Sequence, residues 1–226
     1  MSSSLNTDKR GAEVRLPVDS IYLEGDLYIP EGAWGMVVFV HGSGSSRHSL
    51  RNRHVANELQ KDGLGTLLFD LLTVEEERID MLTHALRFDI ELLSKRLIDV
   101  TGWLLSKEET KDLNIGYFGA STGAAAALIA AKEHAHTIKA VVLRGGRPDL
   151  AESALMHVKA PTLLIVGGKD TQVLDLNQWT LARMSMPEKE LKIVPDATHL
   201  FEEPGALKEV ARLTGEWFKK YLAEGK

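Results

Sequence analysis

A serine stands between two glycines in Gly119-Ala120-Ser121-Thr122-Gly123, where the apolar run 115–118 gives way to the alanine-rich stretch 124–131. A serine hydroxyl is a poor nucleophile at neutral pH, and it attacks acyl carbons only when a neighbouring base takes its proton. His199, in the stretch PDATHLF after the strand expected at 191–194, is the histidine best placed to be that base. A carboxylate must then fix the imidazole tautomer and stabilise its charged form. Asp170 ends LLIVGGKD directly after another apolar run and is the candidate. Asp175 competes with it, but it lies further from the strand end and reads as a carboxylate opening the next helix. Of the other histidines, His134 and His136 are two apart, on different faces of a helix, which argues against a shared metal. His48, His54, His84 and His157 read as surface or partly buried polar positions.

An acyl-transfer site also needs two fixed N–H donors for the oxyanion. Thr122 follows the serine and supplies one from its backbone. The other is expected from His41-Gly42-Ser43-Gly44, which follows the apolar run 36–40. Ser43 is the expected backbone donor, with His41 bracing the turn through its ring and Gly42 and Gly44 shaping it. The small residues Gly119 and Gly123 let the chain turn sharply and present the Ser121 hydroxyl. Two arginines in Arg144-Gly145-Gly146-Arg147 could grip a carboxylate or phosphate on a substrate, because a planar guanidinium offers two parallel hydrogen bonds. A second basic cluster is Arg47, His48, Arg51 and Arg53. The plainer expectation is that these arginines pair with Glu75, Glu76, Glu77, Glu202 or Glu203, in surface contacts that contribute little.

The elements that must position these residues are legible as alternating patterns. Residues 13–18 and 21–29 alternate apolar and polar and predict two antiparallel strands near an edge. The continuous apolar run 36–40 predicts a strand covered on both faces, 139–143 a second buried strand, and 66–70, 115–118, 161–166 and 191–194 read as further strands. Helical patterns fall at 53–61, 88–106, 122–131, 148–157, 176–184 and 205–222. Strand and helix in turn require a mainly parallel sheet with helices on both faces. In such sheets the functional residues gather at the carboxyl ends of the strands, where Ser43, Ser121, Asp170 and His199 all fall. Only residues 144–160 separate the sixth strand from the next, which leaves room for one small helix, no large lid, and an open site.

The 226 residues suit one α/β domain over 13–226 after a flexible segment 1–12. A formal charge of −5 offers no basic field for nucleic acid. No run is long and apolar enough to predict a membrane span, and the N-terminus lacks the apolar core of a signal peptide. The absence of cysteine excludes disulfides, thiolate metal sites and a cysteine nucleophile, and it fits a reducing cytoplasm. The oligomeric state stays open, with a homodimer as one candidate.

Taken jointly, VVFVHGSGSS, TLLFD, IGYFGASTGAAAAL, APTLLIVGGKD and PDATHLFEEP resemble the α/β-hydrolase superfamily, in particular its dienelactone hydrolase-like branch. The resemblance implies an eight-stranded, mostly parallel sheet, a Ser121–His199–Asp170 triad, no metal and no organic cofactor. Dienelactone hydrolases proper use a cysteine nucleophile, whereas this chain has Ser121. The expectation is therefore a serine hydrolase acting on small carboxylic esters through an acyl-enzyme. An amidase, thioesterase or lactonase is the nearest alternative, and a ligand-binding protein that has kept the fold without turnover is the alternative of another kind.

Overall fold

The computed structural model describes residues 11–223, so the expectation of a flexible N-terminus lies outside the described residues as far as residue 10. Ala12 already belongs to the first strand. Eight strands form one sheet: β1 (Ala12–Val18), β2 (Ile21–Tyr28), β3 (Met36–Val40), β4 (Gly65–Phe69), β5 (Ile115–Ala120), β6 (Ile138–Arg144), β7 (Thr162–Gly167) and β8 (Lys189–Val194). Their order is β1-β2-β4-β3-β5-β6-β7-β8. Pairings with β2 are antiparallel and all others are parallel. Helices are α1 (Leu50–Lys61), α2 (Val74–Thr83), α3 (Ile90–Leu105), α4 (Gly123–Glu133), α5 (Glu152–Leu155), α6 (Thr171–Arg183) and α7 (Ala206–Leu222).

The continuous apolar runs are the central strands, and every residue of β3, β4, β5 and β7 is buried. Alternate side chains feed two cores. Met36, Val38 and Val40 of β3, with Ile115 and Tyr117 of β5, meet the apolar face of α3 (Leu93, Leu97, Val100, Leu104) and the alanines of α4. Val37, Phe39, Phe118, Ala140 and Val142 face the opposite way, toward Val55 and Leu59 of α1 and Val210 and Phe218 of α7. Short alanine side chains let α4 lie close on the sheet, and Ala124 to Ala127 are fully buried.

Several boundaries differ from expectation. The pattern at 53–61 starts earlier, at Leu50, because Ser49 caps the helix by accepting from the Asn52 N–H. The long helix expected at 88–106 divides into a 3-10 turn, Leu86–Phe88, and α3, which Asp89 caps. Residues 148–157 hold a 3-10 turn, Pro148–Ala151, and the short α5. Helix α6 begins at Thr171, so Asp175 lies inside it rather than at its start. Helix α2 was not expected at all.

Candidate active site

Chain order places the centre of the sheet between β3 and β5: from β3 the chain steps outward to β4, then returns past β3 to β5. Ligands in open α/β sheets bind at such switch points, outside the carboxyl ends of the strands. The His41–Gly44 loop and Ser121 flank this one.

Ser121 directly follows β5 and has φ of 50°, a left-handed conformation that a non-glycine residue adopts at a cost. The turn is held on both sides. The Ser121 N–H donates to the Arg144 carbonyl at 3.2 Å, and the Ser121 carbonyl accepts from the N–H groups of Ala124 and Arg147. Glycine is required beside it. A Cβ on Gly123 would lie 2.3 Å from the Val40 carbonyl oxygen, and one on Gly42 would lie 2.7 Å from the Ser121 Cβ. The sharp turn and the close approach of the two loops thus depend on hydrogen at both positions.

Asp170 follows β7, and His199 lies in the loop after β8, the neighbouring strand. His199 Nδ1 is 2.7 Å from Asp170 Oδ2. Since the carboxylate accepts, Nδ1 carries a proton, and in the neutral ring Nε2 then keeps its lone pair. The loop that carries His199 is braced: Glu203 accepts from both the N–H and the hydroxyl of Thr198, at 3.0 and 2.6 Å. The imidazole lies over Gly145, where an added Cβ would come 3.4 Å from Nδ1 and Cε1. Gly145 is the residue after Arg144, whose carbonyl holds the Ser121 N–H, so the dyad and the serine are carried by adjoining turns.

His41 is buried and hydrogen-bonded at both ring nitrogens. Nε2 accepts from the Leu71 N–H at 3.0 Å, which leaves the proton on Nδ1, 2.9 Å from the Gly42 carbonyl. Burial lowers its pKa, and the Gly42 carbonyl raises it only in part, so the ring is a neutral brace between the loop and the end of β4. The Ser43 N–H donates to Thr122 Oγ1 at 2.8 Å. The same loop lines a small pocket, together with Leu71, Asp80 and Arg87.

The arginines divide. Arg147 forms a bidentate pair with Asp149, at 2.9 and 2.8 Å, so its guanidinium already holds a carboxylate of its own loop. Arg144 is 7% exposed and has no ion pair among the described residues. Its Nη2 is 3.4 Å from Asn52 Oδ1, its guanidinium lies 5.9 Å from the Phe201 ring centroid, and its buried Nε has no partner. Burial, with Arg51 nearby, pushes its pKa down to about 10, which leaves it charged at neutral pH. In the second cluster, Arg47 pairs with Asp70 and Asp26, Arg53 with Asp26, and Arg51 with Glu202. Glu76 binds Arg96 instead, and Glu203 turns to Thr198.

Sequence reasoning missed Gly145, Gly167 and the α2 segment. The paired glycines in RGGR and VGGKD were the available signal for the first two, since doubled glycine after a strand marks close backbone approach. Among the described residues, no group of three or more His, Cys, Asp or Glu side chains could hold a metal ion. No helix among them is long and apolar enough to cross a membrane.

Residues 23–222 match the dienelactone hydrolase family. A dienelactone hydrolase from Anabaena variabilis is 58% identical and superposes with a TM-score of 0.92, covering 94% of this chain and 98% of its own. Est1E from Butyrivibrio proteoclasticus has a TM-score of 0.79 at 15% identity, covering 94% of this chain and 99% of its own. For an esterase from Pyrococcus furiosus the values are 0.76 and 21%, with 94% and 92% covered, and both likenesses concern the fold alone. A Mycobacterium tuberculosis protein whose name gives it a provisional phosphoribosyl transferase assignment is 56% identical over 214 residues, 94% of this chain. The match takes in 47% of that protein, so the chain spans about half the length of the curated relatives it matches.

Proposed function

Because the chain belongs to the dienelactone hydrolase family, we propose that it is a serine hydrolase that cleaves small carboxylic esters through an acyl-enzyme on Ser121. The observation that carries this is the strained Ser121 turn together with a His199–Asp170 pair at 2.7 Å on the same edge of the sheet. The phosphoribosyl transferase name belongs to a protein about twice as long and contributes nothing to this assignment.

In the proposed reaction, Ser121 Oγ attacks the ester carbonyl carbon while its proton passes to His199 Nε2. Asp170 stabilises the imidazolium through Nδ1–H. The carbonyl π pair moves onto oxygen, next to the Thr122 N–H at the start of α4, where the helix dipole also favours negative charge. Collapse expels the alcohol with the His199 proton. Water, deprotonated by the same imidazole, then releases the acid and restores Ser121. His41 takes no part, since both its nitrogens are engaged in the turn. Arg144, charged and without an ion pair among the described residues, is the arginine we assign to an anionic substituent on the substrate. The absence of cysteine is compatible with the reducing cytoplasm we propose as its compartment.

A fluorophosphonate probe tests the core of this proposal. It should label the protein at Ser121, and a panel of esters, thioesters, amides and lactones should show oxygen esters turned over fastest. A folded protein that does not label would favour the ligand-binding alternative, and a faster thioester, amide or lactone would reassign the substrate bond. Comparing a neutral ester with its carboxylate-bearing analogue tests Arg144. The wild type should prefer the anion, and Arg144→Ala should lose that preference, by about ten- to a hundredfold for an engaged charge-assisted contact.

A further inference from the structure

The hydrogen bond from the Ser43 N–H to Thr122 Oγ1 has a consequence for the oxyanion site. It joins two loops 79 residues apart in sequence, at 2.8 Å. Ser43 was expected to aim this N–H at the substrate oxygen, but it points at the hydroxyl of the residue that supplies the other expected donor. A threonine at the start of a helix ordinarily turns its oxygen onto the first free N–H groups. Thr122 makes no such capping bond, and its own backbone is already helical, at φ −62° and ψ −28°. Its oxygen is committed to Ser43.

A hydroxyl that accepts one hydrogen bond still has a proton to donate. Thr122 is 4% exposed, and among the described residues its hydroxyl has no acceptor. The loop holding it lies against the nucleophile, because a Cβ on Gly42 would be 3.5 Å from Ser121 Oγ. An N–H···O–H chain polarises the terminal proton and strengthens the bond it gives. We propose that the Thr122 hydroxyl is itself an oxyanion donor, so that Thr122 meets the developing charge with both its N–H and its O–H. Ser43 is then a positioning residue that acts through that hydroxyl. No proton moves to the oxyanion: as the Ser121 Oγ–C bond forms, the carbonyl electron pair localises on oxygen and the two donors tighten on it.

This inference rests on the serine hydrolase reading, and the experiment separates the two. Wild type, Thr122→Ser, Thr122→Val and Thr122→Ala are compared in kcat and KM on one activated ester, and in affinity for a boronic acid that mimics the tetrahedral adduct. Removal of one oxyanion donor costs about 10²–10³ in kcat in the well-studied case. Here the freed Ser43 N–H can partly substitute, so Val and Ala should lower kcat about 10- to 100-fold with KM changed less than about threefold. Boronate affinity should fall by the same factor as kcat, which a merely structural role would not produce. Thr122→Ser, which keeps the hydroxyl, should stay within about threefold of wild type. If Val and Ala match or exceed wild type, the hydroxyl is a plug that yields to substrate and the proposal is overturned. It is equally overturned if Ser is as impaired as Val, because shape would then be what matters. If wild type itself resists fluorophosphonate labelling at Ser121, the serine hydrolase reading fails and this proposal falls with it. Labelled wild type with undamaged Val and Ala removes this proposal alone.

Discussion

Asp19, His84, Ser121, Asp196 and Phe201 hold positive φ without being glycine, and three of these five belong to the candidate site. Ser121 is the nucleophile candidate, while Asp196 and Phe201 bracket His199. Such backbone strain costs about 1–3 kcal/mol per residue and persists where the surroundings over-determine it. Here the surroundings are the hydrogen bonds at Arg144, Ala124 and Arg147 and the Glu203 brace. If Ser121, His199 and Asp170 act as a unit, Ser121→Ala and His199→Ala should each lower kcat by several orders of magnitude, with the double variant little worse than either. Additive losses would break the unit. Asp170→Asn should cost on the order of 10⁴ through the wrong imidazole tautomer, whereas Asp175→Asn, inside α6, should be nearly silent; steady-state rates for the two variants decide between them. Gly167 provides a sharper test of geometry. A Cβ there would meet the Ala197 carbonyl oxygen at 2.4 Å and that of Thr198 at 2.7 Å, both backbone atoms beneath the His199 loop. Gly167→Ala should therefore shift that loop and reduce kcat by at least about tenfold, since small misplacements of catalytic groups are costly. An unchanged kcat would mean that the loop can move without carrying His199 away.

At the scale of elements, the central strands were legible because burial on both faces leaves apolar runs, whereas the edge strand β8 buries only Val194 and was legible from its place in the alternation. The site was legible because its residues follow strand ends. Helix α2 was not, and the reason is physical. Its only buried residue is Asp80, while Val74, Ile79, Met81 and Leu82 face outward, so no apolar stripe marks it. Polar anchors hold it instead: a capping box between Thr73 and Glu76, two hydrogen bonds from Arg96 to Glu76, and a pair between Arg87 and Asp80. The Ser43–Thr122 bond was equally hidden, since no local spacing relates residues so far apart. Burial works against the charge on Asp80, but Arg87 and the N–H groups of Arg87 and Leu86 outweigh it and hold the carboxyl below its usual range. A carboxylate with a depressed folded-state pKa contributes stability that is present above its unfolded value, about 3.9, and is lost as pH falls through the folded value. Asp80→Asn should thus lower Tm at neutral pH, by about 2 kcal/mol of charge-assisted bonding or a few degrees. The gap between wild type and variant should close as the pH drops below about 4, measured by thermal melts across pH. A gap that persists at pH 2 would assign the effect to packing.

At the scale of the whole molecule, the proposed limit on substrate size follows from where the fold places extra chain. The connection from β6 to β7, on the His199 side of Ser121, holds only the turn Pro148–Ala151 and α5. The longer insertion is the one after β4, which places α2 and Arg87 by the pocket shared with Gly42 and Ser43. With Asp80 and Arg87 in its wall, that pocket is the one we propose takes a small acyl group. The energetics separate two outcomes cleanly. Each methylene buried in an apolar channel would contribute about 0.8 kcal/mol, close to fourfold, so four more would raise kcat/KM on the order of 10². A small, partly charged pocket gives no such increment once it is filled, and further carbons must lie in solvent or strain the ester. Across a series of acyl chains from acetate to octanoate on one leaving group, kcat/KM should peak at four carbons or fewer and decline thereafter. It should also show no jump as the longer esters pass their micellar threshold, because no large lid waits to be opened. A steady rise to octanoate would mean that α2, held mainly by polar contacts, swings away to expose an apolar channel, and the limit on substrate size would then lie in the motion of that helix rather than in the pocket.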